Sequence, residues 1–211
     1  MFDIEYKGGN GVIIATKQIA AMTDPKLSVV GLKDMKVKDA VEIATEDRFK
    51  LNDDSARLIV EGPGEYEVGD FSITGVAATR HIDTPHDEKK STIYRIEVGD
   101  VRIALLGNIA SQLNEEQLEA LGVVDILILP VGGGGYTLDA TSAAALTRQV
   151  DPKAVIPIHY ADEALKYEVP QDSVDLFVKE LGAPVEKTAK YKVKSGLALP
   201  TVLTTVEIAR S

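Results

Sequence analysis

Asp125-Ile126-Leu127-Ile128-Leu129-Pro130-Val131, followed directly by Gly132-Gly133-Gly134-Gly135-Tyr136-Thr137, is the stretch on which the fold turns. Its apolar run is continuous rather than alternating, the pattern of a strand buried on both faces in a sheet covered by helices. The four glycines suit a tight strand-to-helix connection, because glycine takes positive φ without a Cβ clash. The alternative is that their backbone N–H groups, Gly133 and Gly134 among them, face an anion at the start of the next helix, with Tyr136 turned into the same pocket. That helix is expected at about 139–149, with Ala140, Ala143, Leu146 and Val150 near one face and Asp151-Pro152 as its stop. A second apolar strand, Ala154-Val155-Ile156-Pro157-Ile158, then runs straight into His159.

Working outward, Val174, Phe177, Val178 and Leu181 recur at helical spacing ahead of Gly182, and β-like segments follow at about 191–194 and 201–208. On the N-terminal side a helix is expected at about 115–121. Asn114 is a good N-cap, Gln117 completes a capping box, Glu115 and Glu116 complement the helix dipole, and Gly122 is placed to end it. Leu113 and Leu118 have the spacing of a hydrophobic staple. Before it the chain reads as short strands at about 2–6, 11–16, 19–23, 40–45, 57–60, 65–68, 71–79, 91–98 and 101–106, with a hairpin turn at Val98-Gly99-Asp100-Val101. Strands come early, β–α–β units come late, and no linker separates them. The expectation is one α/β domain over residues 1–211, with sheets covered by helices.

The formal net charge of −10 opposes nucleic acid and anionic membranes as partners, since both need a basic surface. No apolar run approaches the ~20 residues of a bilayer span, and the first residues, Met1-Phe2-Asp3-Ile4-Glu5, do not resemble a signal peptide. The absence of cysteine excludes disulfides and thiolate metal ligands but not a compartment, and a cytoplasmic location is the default expectation.

Several segments, taken together, resemble the metallo-β-lactamase superfamily, and within it the small hydrolases similar to L-ascorbate-6-phosphate lactonase. They are Thr23-Asp24-Pro25, Gly62-Pro63-Gly64-Glu65-Tyr66-Glu67-Val68, Ser91-Thr92-Ile93-Tyr94, Leu106-Gly107-Asn108, Leu118-Glu119-Ala120-Leu121-Gly122, Val124-Asp125-Ile126-Leu127, the run from Pro130 to Ala140, and Ile156-Pro157-Ile158-His159-Tyr160. They fall in the family's order. The resemblance implies an αββα sandwich, two sheets packed together with helices outside, and a metal site at one edge.

It also implies where metal ligands would stand. Family enzymes carry His-x-His-x-Asp-His after an early strand, where the side chains bind two divalent ions that generate a hydroxide nucleophile. Here Asp39-Ala40-Val41-Glu42-Ile43-Ala44-Thr45 leads into Glu46-Asp47-Arg48-Phe49-Lys50-Leu51, so the four positions hold Glu46, Arg48, Lys50 and Leu51. Arginine stays charged, leucine has no donor atom, and a cation beside a divalent ion repels it. Only Glu46 remains a plausible donor. The family's bridging aspartate is matched by Asn108, its last histidine by His159, and its intermediate histidine by His81, with Arg80 one residue away.

Each residue also has a plainer reading. His159 can simply hydrogen-bond a neighbouring loop. Arg48 and Lys50 can pair with Glu46, Asp47 or the acidic surface, or bind an anionic ligand in the cleft. The polar loop containing His81, Asp83, His86 and Asp87 reads either as a local metal site or as a solvated turn.

The residues therefore point to a protein of hydrolase lineage without a binuclear metal site and with no resident cofactor. Its partner would be a small anion or another protein, and homo-oligomerisation is open. The alternative is an active hydrolase of phosphoesters or lactones, using zinc or another divalent metal at a rearranged, mononuclear site with His81, His159 and a carboxylate such as Glu46 or Asp83. A metal-free enzyme would have Tyr136, Glu46 and Lys50 as its acid–base groups.

Overall fold

The computed structural model describes residues 1–81 and 90–211. Numbered in chain order, the strands are β1 (Phe2–Gly8), β2 (Gly11–Ala15), β3 (Ala20–Thr23), β4 (Val41–Ala44), β5 (Leu58–Glu61), β6 (Gly64–Val68), β7 (Phe71–Thr79), β8 (Lys90–Val98), β9 (Val101–Leu105), β10 (Ile126–Pro130), β11 (Ala154–Ile158), β12 (Val185–Thr188), β13 (Tyr191–Val193) and β14 (Thr204–Ile208). The helices are α1 (Glu115–Leu121), α2 (Ala140–Val150) and α3 (Val174–Leu181). One sheet has the order β13-β1-β2-β3-β4-β5 and the other β12-β14-β11-β10-β9-β8-β7-β6.

Side-chain alternation decides how the two sheets meet. On β1, Phe2, Ile4 and Tyr6 are buried while the residues between them are half-exposed, so one face points inward. These side chains join Val12, Ile14, Val41 and Ile43 from their own sheet and Ile73, Ile96, Ile103, Ile126, Ile128 and Ile156 from the other in a single inter-sheet core. The β10 run is buried on both faces, as its sequence predicts. Ile126 and Ile128 face the inter-sheet core, whereas Leu127 and Leu129 face the helices in a second cluster with Ala143, Leu146 and Phe177. Removing one methyl group from this layer by Ile128→Val is expected to cost about 1 kcal/mol, read as a fall in the urea midpoint at unchanged m-value.

The α/β sandwich expected from the sequence is present, with one difference in its outer layers. All three α-helices cover the outer face of the second sheet. The outer face of the first sheet is covered by residues 27–40 and Leu165, where Met22, Leu27, Val30, Met35 and Ala40 cluster. That segment joins the parallel strands β3 and β4. It forms only a 3-10 turn at Leu27–Val30, ended by Gly31 at φ +80°.

The caps form as expected. Asn114 and Gln117 make the reciprocal capping box of α1, and the Asp139 side chain accepts from the Ser142 N–H at the start of α2. The edge strand β12 has no sequence signal, because Val185-Glu186-Lys187-Thr188 is mostly exposed and carries no apolar alternation. Among the described residues no helix is long and apolar enough to cross a membrane.

Candidate functional site

In the first sheet β3, β4 and β5 run parallel, and in the second β9, β10 and β11 do. Parallel strands deliver their carboxyl ends, and whatever follows them, to one edge of a sheet. Asp24 follows β3, Thr45 and Glu46 follow β4, Asn108 lies just beyond β9, Gly132 beyond β10, and His159 follows β11. Asp24 and His159 sit at φ +46° and +51°, a left-handed backbone conformation held by the surrounding packing. Gly107 is required for this convergence, because a Cβ there would lie 2.6 Å from Thr45 Oγ1.

Glu46 is the hub. Its side chain is only 4% exposed, and its Oε2 is 2.7 Å from Arg80 Nε and 3.4 Å from Arg48 Nε. Its Oε1 accepts from Asn108 Nδ2 at 2.9 Å. Asn108 is fully buried, and its own Oδ1 has no hydrogen-bond partner among the described residues. Arg48 is held by its faces: its guanidinium carbon lies 4.5 Å from the Phe49 ring centroid and 4.7 Å from that of Tyr136. Among the described residues its polar edge has the long ion pair to Glu46 and one of 3.9 Å to the exposed Glu168. Desolvation lowers its pKa, and Glu46 opposes that effect.

The sequence assignment needs correcting at three places. Of the neighbours Arg80 and His81, it is the Arg80 guanidinium that reaches Glu46. The His81 backbone N–H donates to the Asn108 carbonyl. Arg80 directly follows β7 and is bridged to Ile109, and its side chain is buried. Lys50 does not join the hub. It pairs with Glu61 at 2.6 Å and Asp47 at 3.1 Å, and these partners raise its pKa, Glu61 foremost. Gly133 and Gly134 are committed to packing. A Cβ on Gly134 would meet the Pro170 carbonyl at 2.5 Å, and one on Gly133 would meet the Asp172 carboxylate at 3.1 Å. Asp139 already caps α2 by accepting from the Ser142 N–H. Asp83, His86 and Asp87 lie outside the described residues.

His159 is 2% exposed, and its Nδ1 lies 2.7 Å from Asn10 Oδ1. An amide oxygen only accepts, so Nδ1 carries the ring proton and Nε2 presents its lone pair. Burial, and secondarily Arg48, lowers the pKa of His159 to about 3, so the ring is neutral at pH 7. Nε2 has no partner among the described residues, and the ring packs between Tyr136 at 6.0 Å and Tyr167 at 4.8 Å. Asp24 accepts from the Thr45 N–H and hydroxyl, both at 2.7 Å. Burial nevertheless raises its pKa to about 7, against the lowering effect of those bonds and with a further push from Glu46. Composition and spacing do not single out Asp24, Asn10 or Thr45; the one available signal was Thr23-Asp24-Pro25, legible only as a resemblance.

Two cavities flank Arg48. One, with a volume of about 20 Å³, is lined by Asn10, Asp24, Arg48, Tyr136, His159 and Glu168 among others. The other, of about 680 Å³ and open to solvent, is lined on its charged side by Glu46, Arg48, Lys50, Glu61 and Arg80.

These residues do not fit a binuclear divalent site. Two guanidinium groups flank the one carboxylate at the hub, and neither can become a donor. Asn108 turns its amide N–H toward that carboxylate. His159 Nε2 has the form of a metal ligand, but among the described residues no three His, Asp or Glu side chains form a group that could hold a metal ion.

Residues 3–159 match the family described as "Beta-lactamase superfamily domain". The chain belongs to the metallo-β-lactamase superfamily. Within it, the chain is 29% identical over 138 residues to a UPF0173 metal-dependent hydrolase from Thermococcus onnurineus, a match covering 59% of this chain and 61% of that protein. It is also 29% identical over 123 residues to a UPF0173 protein from Pyrococcus furiosus, covering 56% and 57%. Both matches span less than two thirds of the relative's own length. In structure the chain resembles a Thermotoga maritima protein described as a candidate Zn-dependent hydrolase of the metallo-beta-lactamase superfamily, with a TM-score of 0.76, 21% identity, and coverage of 99% of this chain and 100% of that one. Igni18, a metallo hydrolase from Ignicoccus hospitalis, gives 0.61 at 16% identity, covering 86% and 90%. At these identities the two structures speak to the fold alone.

Proposed function

We propose that this chain is a non-hydrolytic member of its superfamily, a single-domain cytoplasmic binding or scaffold protein of hydrolase lineage. In it an arginine–glutamate cluster takes the place of the metals. The carrying observation is Glu46, buried and neutralised by Arg80 at 2.7 Å with Arg48 at 3.4 Å. A carboxylate already paired with two cations in a poorly solvated site gains little from a divalent ion, and the ion would be repelled by both guanidiniums. The lactonase-like resemblance then describes ancestry, and a protein partner or a second copy of the chain remains compatible with this role.

A metal-dependent hydrolase with a mononuclear site is the second reading. It is favoured by the lone pair of His159 Nε2 and by the printed names of the UPF0173 relatives. The two separate in an assay with aryl phosphodiesters and simple lactones in the presence of added Zn²⁺, Mn²⁺ or Fe²⁺. The expected outcome is turnover no higher than that of His159→Ala. Metal-dependent turnover that disappears in that variant supports the mononuclear enzyme instead.

A further inference from the structure

We propose that the small cavity beside Tyr136 and His159 is a binding site for one water molecule, which donates to His159 Nε2 and accepts from the Tyr136 hydroxyl. The water extends the His159–Asn10 hydrogen bond, a link between the two sheets, to the glycine-rich loop. The inference rests on the non-hydrolytic reading above, since it requires Nε2 to be free of metal.

Volume sets the size of the occupant. The cavity has about 20 Å³, and a single water needs ~10–15 Å³ of such space. One water fits, and an organic ligand does not. Polarity decides whether the water stays, because a buried water needs two to four hydrogen-bonding partners, as a rough rule. Asn10, Tyr136 and His159 all line the cavity. Each has a buried polar atom without a hydrogen-bond partner among the described residues: Asn10 Nδ2, the Tyr136 hydroxyl and His159 Nε2.

These atoms are of both kinds. Asn10 Oδ1 holds the ring proton of His159 on Nδ1, so Nε2 only accepts. The Tyr136 hydroxyl and the Asn10 amide nitrogen donate. The Asn10 side chain also acts on Asp24, whose pKa it lowers, so Tyr136 is the donor on which the assignment rests. The occupant must then donate one hydrogen bond and accept another from a single heavy atom, as water does. An anion would lie against the Nε2 lone pair with Asp24 and Glu168 on the same wall, and a cation would lie beside Arg48. Tyr136 belongs to the connection after β10 and His159 follows β11, both in the second sheet, whereas Asn10 lies in the turn between β1 and β2 of the first. The path Tyr136–water–His159–Asn10 therefore runs from the loop across to the other sheet.

The test is a crystal structure of the chain, at a resolution that shows ordered water and with anomalous data collected. One compact, fully occupied peak is expected, at about 2.7–3.2 Å from both His159 Nε2 and the Tyr136 hydroxyl and without anomalous signal. In Tyr136→Phe, which removes the donor and leaves Nε2, the occupancy of that peak should fall. No density in the cavity, or density too long for one atom, overturns the assignment and leaves the non-hydrolytic reading standing. An undiminished peak in Tyr136→Phe overturns the link to the loop. An anomalous scatterer at about 2.0–2.1 Å from Nε2 is a bound metal and defeats the reading beneath.

Discussion

Arg80→Ala should lower the unfolding free energy by about 3–5 kcal/mol, the cost of leaving a buried carboxylate without its nearest partner. Glu46 is 4% exposed and Arg80 7%, so water cannot readily replace the lost guanidinium. Arg48, at 3.4 Å, compensates in part and places the effect toward the lower end of that range. The double replacement Glu46→Gln with Arg80→Met is expected to cost less than Arg80→Ala alone, because the buried carboxylate is then gone and Arg48, which loses its 3.4 Å partner, is the more exposed of the two arginines. Urea unfolding of the two variants beside the parent checks both statements. A loss below ~1 kcal/mol for Arg80→Ala would place Glu46 in a better-solvated or otherwise neutralised setting than this structure shows.

The second large effect is a pH dependence from Asp24. Its carboxyl titrates near 3.8 when unfolded and at about 7 in the folded chain, chiefly through burial. Between those values the folded state holds a proton that the unfolded state has lost, so stability falls as pH rises. The contribution is fully present below pH ~3.8 and is lost as pH passes through ~7, about 4 kcal/mol at most. Asp24→Asn, which keeps an acceptor for the Thr45 N–H, should remove this slope. The difference between parent and variant is the quantity to measure, by denaturant unfolding from pH 4 to 8. His159 acts in the opposite sense over much of the same window: its folded pKa is depressed to about 3, so its contribution is lost as pH falls. Subtracting the Asp24→Asn profile isolates the aspartate. A difference that does not change with pH would mean that Asp24 is ionised throughout.

How much of this was legible in the sequence differs between core and site. The β10 and β11 runs, the Asn114–Gln117 capping box and the alternation in β1 each rest on local physics, and each appears where the residues place it. The cover of the first sheet's outer face was not legible, because it is an irregular segment whose apolar residues show neither helical nor strand period. The site was legible only in part. Glu46, Arg48, Asn108 and His159 converge, yet they come from segments far apart in the chain. The choice between Arg80 and His81 could not be made by spacing, since adjacent residues at a strand end point to different sides. For Lys50 the plainer reading, a partner on Asp47 or the acidic surface, is the one that forms, with Glu61 as the nearer carboxylate. Asp24 escaped notice because an aspartate before proline ordinarily marks a turn.

The most direct test of the central claim, that guanidinium groups stand where divalent ions would be held, is elemental analysis of the chain purified without chelator and then incubated with Zn²⁺, Mn²⁺ or Fe²⁺ and desalted. Metal well below stoichiometry in every case is the expected result. Zinc, manganese or iron retained in stoichiometric amount, and lost when His159 is replaced by Ala, would contradict it.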